Sequence, residues 1–241
     1  MSGVARVPGQ AGRPPRFAGG RAPRAAGAPA RSFGRNRPLV GVLAVQGDVG
    51  EHLGMLGDAG AEAIPVTTRE DLDRVDGLVL PGGESTTIGR LLARFELLEV
   101  VRQRVAHGLA TFGTCAGAIL LAREATLDDG TPAEQPLLGA LDVRARRNAF
   151  GRQVASFEAS LDVAGLDGQP LAGGPLEAAF IRAPWFEDPG AGVESLATVA
   201  TEAGDRIVVV RQGHILASAF HPELGGDPRL HAAFVELARR G

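Results

Sequence analysis

From Leu39 onward the chain opens on a short apolar run, Leu39-Val40-Gly41-Val42-Leu43-Ala44-Val45, without alternation. Such a run predicts a strand buried on both faces. Residues 49–59 fit a helix that begins at an Asp48 cap, and residues 61–66 a second short strand. Asp76-Gly77 leads into a third strand over 78–80. Ile88, Leu91, Leu92, Phe95, Leu98, Val101 and Val105 recur at helical spacing and predict one helix over 88–106. A fourth strand at 110–112 and a helix at 116–123 follow. Strands alternating with helices in this way predict a three-layer α/β domain on a mostly parallel sheet.

Past residue 126 the pattern changes. Residues 126–138 are polar and contain Pro, as a loop would be. Strand-like runs then cover 140–145, 153–163, 178–181, 196–200, 206–210 and 215–219, before a closing helix at 228–240. So many strands exceed what a doubly wound fold needs, so some should form an antiparallel extension or edge. One domain over 38–241, without an internal repeat, accounts for the whole pattern.

Composition narrows the function classes. With 44% apolar residues among 241, a sizeable core can form. One Cys excludes a disulfide scaffold and an all-cysteine metal site, and no apolar run is long enough to span a bilayer. All 25 basic residues are Arg, a bias that fits a GC-rich bacterial genome. Residues 1–37 hold eight Arg and no acid, whereas residues 38–241 hold 17 Arg against 28 acids. The folded part is therefore acidic and does not read as a nucleic-acid binder. The Arg-, Gly-, Ala- and Pro-rich head cannot bury enough surface to offset chain entropy and is expected to be disordered. It lacks the apolar core of a secretory signal. An organelle transit peptide or a loose RNA or membrane contact are alternatives to a lineage-specific tail or an early start codon.

The sole Cys has an unusual setting. In Phe112-Gly113-Thr114-Cys115-Ala116-Gly117 it stands between a strand end and a helix start, with glycines two before and two after. A nucleophile on a tight strand-to-helix turn needs small residues there, and the helix start favours a thiolate. The alternative is a buried cysteine acting as a small hydrophobe. A nucleophile wants a base and an orienting group. Phe220-His221-Pro222-Glu223-Leu224 offers both, because His221 and Glu223 are two apart in an extended stretch and point the same way. His52 and His107 fall within or at the end of expected surface helices, His214 in a turn and His231 in the last helix, so these four read as solvated or structural. Pro81-Gly82-Gly83-Glu84-Ser85-Thr86 follows the third strand and could aim backbone N–H groups at an oxyanion. A plain turn and a phosphate cradle are the alternatives, but neither GxxxxGK[ST] nor GxGxxG occurs, and without Lys there is no phosphate-loop lysine.

These stretches together resemble the class I glutamine amidotransferases and, within them, the family of glutaminase subunits of pyridoxal 5'-phosphate synthase. The likeness runs from about Leu39 to about Glu236. It is carried by Gly41-Val42-Leu43-Ala44-Val45-Gln46-Gly47 with Glu51-His52, and by Pro81-Gly82-Gly83-Glu84-Ser85-Thr86-Thr87. The cysteine turn adds to it, as do Arg147-Asn148-Ala149-Phe150-Gly151-Arg152-Gln153 with Ser156-Phe157-Glu158, Phe180-Ile181-Arg182-Ala183-Pro184, and the His-Pro-Glu segment. The elbow and His-Pro-Glu point to the superfamily alone; the other stretches are far more specific.

The resemblance implies a flavodoxin-like three-layer fold and hydrolysis of L-glutamine to glutamate and ammonia. It makes Cys115 the nucleophile, His221 the base and Glu223 its orienting partner. Backbone N–H groups of Gly83 and Ala116 would form the oxyanion hole. Gly83, Glu84, Ser85, Arg147, Ile181 and Arg182 would hold glutamine, and Gln46 would lie at the interface with the synthase and bear on activation. It implies no metal or organic cofactor, a cytoplasmic setting, and, as the ammonia acceptor, the barrel-shaped subunit of pyridoxal 5'-phosphate synthase. Trp185, Gly225, the long 126–138 loop and the head depart from the family pattern, and Trp185 is expected at the pocket rim. Rival readings are a glutaminase serving a histidine, purine or anthranilate pathway, a non-catalytic regulator on the same fold, and a cysteine peptidase or hydrolase. The Arg-Asn-Ala-Phe-Gly-Arg-Gln stretch argues against the first and the intact Cys115, His221 and Glu223 against the second. The third would lack the paired arginines.

Overall fold

The computed structural model describes residues 37–150, 156–202 and 204–241. Its first half follows the apolar pattern closely. The order is β1 (Leu39–Leu43), α1 (Val49–Asp58), β2 (Glu62–Val66), α2 (Arg69–Arg74), β3 (Gly77–Leu80), α3 (Ser85–Arg94), α4 (Leu97–Ala106), β4 (Ala110–Thr114) and α5 (Ala116–Leu121). Then come β5 (Ala122–Thr126), β6 (Leu141–Arg146), β7 (Ser156–Leu161), β8 (Leu176–Ile181), β9 (Trp185–Glu187), β10 (Glu194–Thr201), β11 (Gly204–Gln212), β12 (Ile215–Ser218) and α6 (Arg229–Arg240).

The central strands β1, β3, β4 and β12 are buried at every position, as expected for continuous apolar runs. In the sheet the order is β2-β1-β3-β4-β12-β11-β9-β6-β5, with β10 added on β11. From β2 to β12 all pairs are parallel. From β12 outward, β11, β9 and β6 pair antiparallel, and β5 joins β6 in parallel. This is the antiparallel extension that the strand-rich second half implies. Pro65 sits on the edge strand β2, where a missing N–H costs no ladder bond. β7 and β8 form a separate antiparallel pair. Helices α1 and α6 pack on each other, and α3 packs on α4 and α5. Phe112, Phe220 and Phe234 are fully buried in the core between them.

Four features depart from the sequence pattern. The helix expected over 88–106 is two helices, broken at Phe95 and Glu96, where Glu96 adopts φ 59° and Phe95 is 54 % exposed. The buried positions step from Leu92 to Leu97, a five-residue slip that no single helix keeps on one face. The short helix α2 was hidden in a polar stretch; its Thr68–Asp71 capping box holds it instead. Residues 122–123, expected as the end of a helix, begin β5. β9, only three residues long, carries too little pattern to read.

The head expected to be disordered lies outside the described residues except for Arg37. That residue belongs with the fold: its guanidinium donates to the carbonyls of Gly57, Gly60 and Ala61, closing the C-terminal end of α1.

Candidate active site

β4 runs directly into Cys115, whose backbone takes φ 45°, ψ −101° before α5 begins. This strained conformation has a visible cause in packing. A Cβ on Gly113 would stand 2.7 Å from the Gly117 carbonyl carbon, and one on Gly117 would strike the Leu80 carbonyl oxygen. The turn therefore closes only with glycine on both sides. The Cys115 N–H donates to Ser218 O of β12 at 2.9 Å, and Sγ lies 4.0 Å from the Ile181 carbonyl oxygen. Cys115 is 6 % exposed, at the bottom of its site rather than in the core cluster.

His221 follows β12, and its backbone N–H donates to Ala179 O of β8. Its imidazole is close enough to the Cys115 side chain to feel its charge. Its Nδ1 donates to Glu223 Oε1 at 2.7 Å, and Glu223 is fully buried at the side chain. Burial pushes the His221 pKa down, but the hydrogen bonds and charges of Cys115 and Glu223 outweigh it and raise the pKa from 6.5 to about 10. Asp48 stands at the N-cap of α1 as expected but makes no side-chain cap bond; its carboxylate lies 3.5 Å from the same Nδ1. The ligand atoms of Asp48, His221 and Glu223 lie within 4.8 Å of one another. The 2.7 Å bond already occupies Nδ1 with a proton, so this trio serves histidine orientation better than a metal.

The Gly82-Gly83 turn after β3 faces this centre. A Cβ on Gly82 would run into the His221 ring, and Gly83 takes φ +142° against Gln46. Gln46 Oε1 accepts the Glu84 N–H at 3.0 Å, so this side chain braces the glycine turn. Glu84 caps α3, accepting from Thr86 N, Thr87 N and Thr87 Oγ1. Burial alone would raise its pKa, but these bonds and the Arg147 charge hold it below the usual value.

Arg147 reaches Glu84 Oε1 at 2.9 Å, Gln135 Oε1 at 2.8 Å and Thr86 Oγ1 at 3.1 Å. Ser85 Oγ donates to the same Gln135 oxygen. Sequence reasoning passed over Gln135, since a single Gln in a polar loop gives no signal. Ile181 is 37 % exposed at the end of β8, and Arg182 follows it with φ 44°. Among the described residues Arg182 has no ion-pair partner, whereas Arg147 is already paired with Glu84. The Trp185 ring packs edge-on to Phe150 and lies under Arg206, and its indole N–H donates to Glu187.

Two histidines read as solvated or structural are buried beside the site. His52 and His231 are fully buried, with His52 Nδ1 2.9 Å from His231 Nε2. The signal for this was helical phase, since His52 and Leu56 share a face four residues apart. His107 and His214 remain peripheral, each on a backbone carbonyl.

An elbow cysteine beneath a parallel sheet, facing a glycine turn and a histidine–carboxylate pair, defines the class: the fold is that of class I glutamine amidotransferases. The solved structure of PurLQS from Thermotoga maritima shares the fold alone, at TM-score 0.56 and 18% identity over 84% of this chain and 97% of that one. A crystal structure of a glutamine amidotransferase matches at TM-score 0.73 and 52% identity, covering 83% of this chain and 98% of its own. The SNO glutamine amidotransferase family matches residues 42–240, and the chain belongs to that family. Relatives include the pyridoxal 5'-phosphate synthase subunit PdxT of Acidothermus cellulolyticus, 57% identical over 84% of this chain and 94% of the relative. The PdxT protein of Parafrankia is 58% identical over 84% of this chain and 94% of the relative. No helix among the described residues is long and apolar enough to cross a membrane.

Proposed function

We propose that Cys115, His221 and Glu223 carry the glutamine hydrolysis of a pyridoxal 5'-phosphate synthase, with this chain as its glutaminase subunit. The observation that carries the reading is one imidazole that bonds a fully buried carboxylate and is raised in pKa by the sole cysteine. The Cys115 thiolate attacks the side-chain amide carbon of L-glutamine. The tetrahedral oxyanion takes N–H donation from Gly83 and Ala116, each donor contributing about 3–4 kcal/mol in a comparable site. The imidazolium of His221 gives its proton to the leaving ammonia, and a glutamyl thioester remains on Cys115.

The same histidine then turns into a base. Acylation removes the cysteine charge and hydrogen bond that helped raise its pKa, while burial, which lowers it, persists. Neutral His221 takes a proton from water, the hydroxide cleaves the thioester, and glutamate leaves with the thiol restored. Glu223 keeps the imidazole in the orientation both steps need.

Glutamine brings a carboxylate and an ammonium beside its reacting chain. Arg182, without an ion-pair partner among the described residues, suits the carboxylate as a planar fork. Glu84, Ser85 and Arg147 form the opposite wall, with Gly83 and Ile181 shaping the floor. The ammonia passes to a barrel-shaped synthase partner that builds pyridoxal 5'-phosphate, and Gln46, which braces the oxyanion turn, transmits that partner's docking. The setting is the cytoplasm. Glutamate and ammonia release from glutamine, with and without the matching synthase, tests the reading. Turnover that the synthase enhances is expected; no release under either condition would overturn it.

A further inference from the structure

Behind the histidine–carboxylate pair lies a second buried layer that these chemical steps do not use. Glu223 Oε1 is engaged by His221, but its Oε2 has no well-aligned hydrogen bond among the described residues. The nearest donor is His52 Nε2 at 3.4 Å, and that nitrogen also lies 3.2 Å from Thr114 Oγ1, one residue before the cysteine. The other His52 nitrogen, Nδ1, is 2.9 Å from His231 Nε2. His231 Nδ1 is buried without a partner.

Two proton arrangements can be written for this chain of rings. If His52 carried its proton on Nδ1, it would donate to His231 Nε2, and His231 would bury an unpaired N–H. A bare His52 nitrogen would then face the Glu223 carboxylate, lone pair against charge. If His231 carries its proton on Nε2, it donates to His52 Nδ1 and leaves only an unpaired acceptor at its own Nδ1. His52 then donates Nε2–H to Thr114 Oγ1, with Glu223 Oε2 3.4 Å from the same protonated nitrogen. Orphaned buried N–H groups are rarer than under-used acceptors, so the second arrangement is favoured. It needs both rings neutral. Burial, with repulsion from His231 and His221, pushes the His52 pKa down to about 2. Burial holds His231 at about 4.

We propose that His52 is a positioning residue for glutamine hydrolysis: its Nε2–H holds the oxygen of Glu223 that His221 leaves free, and His231 fixes the tautomer that allows it. The inference rests on the proposed roles of Cys115, His221 and Glu223. A carboxylate held at one oxygen can turn about its last bond; held at both, it aims one fixed lone pair at His221 Nδ1. The stake is local, because Asp48 waits 3.5 Å from that nitrogen and would recruit the imidazole if Glu223 turned away. The groups facing His52 are His231 from α6, Thr114 from β4, and His221 and Glu223 from the segment after β12.

The test uses the full chain with saturating synthase and compares H52L, H52Q and H52N with wild type and H221A. Gln can present an amide N–H where Nε2 was, whereas Asn reaches only the Nδ1 position. H52L and H52N should lose about tenfold to a hundredfold in kcat, with KM for glutamine within about twofold, as for partners that orient a functional histidine elsewhere. H52Q should recover to within about fivefold of wild type. Wild-type kcat in H52L, or equal losses in H52Q and H52N, would overturn the inference. Nitrogen NMR of histidine-labelled wild-type chain gives a readout independent of variant folding: His52 protonated at Nε2 is expected, and protonation at Nδ1 would overturn it. An inactive wild type or an active H221A would instead fail the underlying reading. An active wild type with inactive H221A and normal H52L would fail this inference alone.

Discussion

Two glutamates face the site, and they live in opposite surroundings. Glu223 has no exposed side-chain surface and sits between two histidines, while Glu84 is 47 % exposed and sits among hydroxyls and Arg147. Low dielectric around Glu223 makes each neighbouring proton count, which is why His221 moves up and His52 and His231 move down from one common starting value. Around Glu84 water competes, and its bonds serve to shape a wall that a charged substrate can rearrange. Burial thus separates a region that manages protons from one that manages position. In kinetic terms the first should govern kcat and the second KM.

The largest expected effect lies in the buried region. E223Q keeps the volume but loses the charge that holds His221 protonated and aimed. A fall of about 10³- to 10⁴-fold in kcat is expected, with KM changing little, by analogy with the orienting acid of a serine triad. A kcat within tenfold of wild type would break the division at its strongest point.

Next come the two arginines. R182A removes the guanidinium without an ion-pair partner among the described residues, and KM for glutamine should rise about tenfold to a hundredfold. R147A removes one already engaged by Glu84, Gln135 and Thr86, so its KM effect should be smaller and accompanied by a lower Tm. Equal KM effects, with no change in Tm for R147A, would mean that both arginines act on substrate alike.

The smallest effect is on stability. Folded His221 keeps its proton up to about pH 10, whereas the unfolded chain releases it near 6.5. Its contribution is complete below pH 6.5 and is lost as pH rises through about 10, and H221Q should flatten that part of a Tm–pH profile. For His231 the sign reverses: the unfolded chain takes up a proton near 6.5 that the folded chain refuses down to about 4. Stability should therefore also fall as pH drops through that interval, and less steeply in H231Q. Profiles of wild type, H221Q and H231Q that coincide would contradict both shifts.

Reading the chain alone succeeded where one structural unit carries its own signal. The buried strands β1, β3 and β4 are plain apolar runs, and the elbow announces itself because Gly113 and Gly117 have no room for a side chain. His221 and Glu223 were legible by proximity in the chain, although the extended stretch expected there is a turn in which the Leu224 N–H donates to the His221 carbonyl. What escaped depends on contacts distant in sequence. Gln135 gains meaning only when its loop reaches Arg147, and His52 only when α6 brings His231 beside it. The break at Phe95 and Glu96 was present as a phase slip between Leu92 and Leu97, masked by the apolar Phe95 itself.

All of this turns on one sulfur. Glutamate release by the C115A chain, with synthase and glutamine saturating and with folding checked by thermal melting, bears on it most directly. No release above the uncatalysed background from a variant that melts like wild type is the predicted result. Glutamate released by C115A at the wild-type rate would show that the hydrolysis proceeds without the elbow cysteine and would contradict the account.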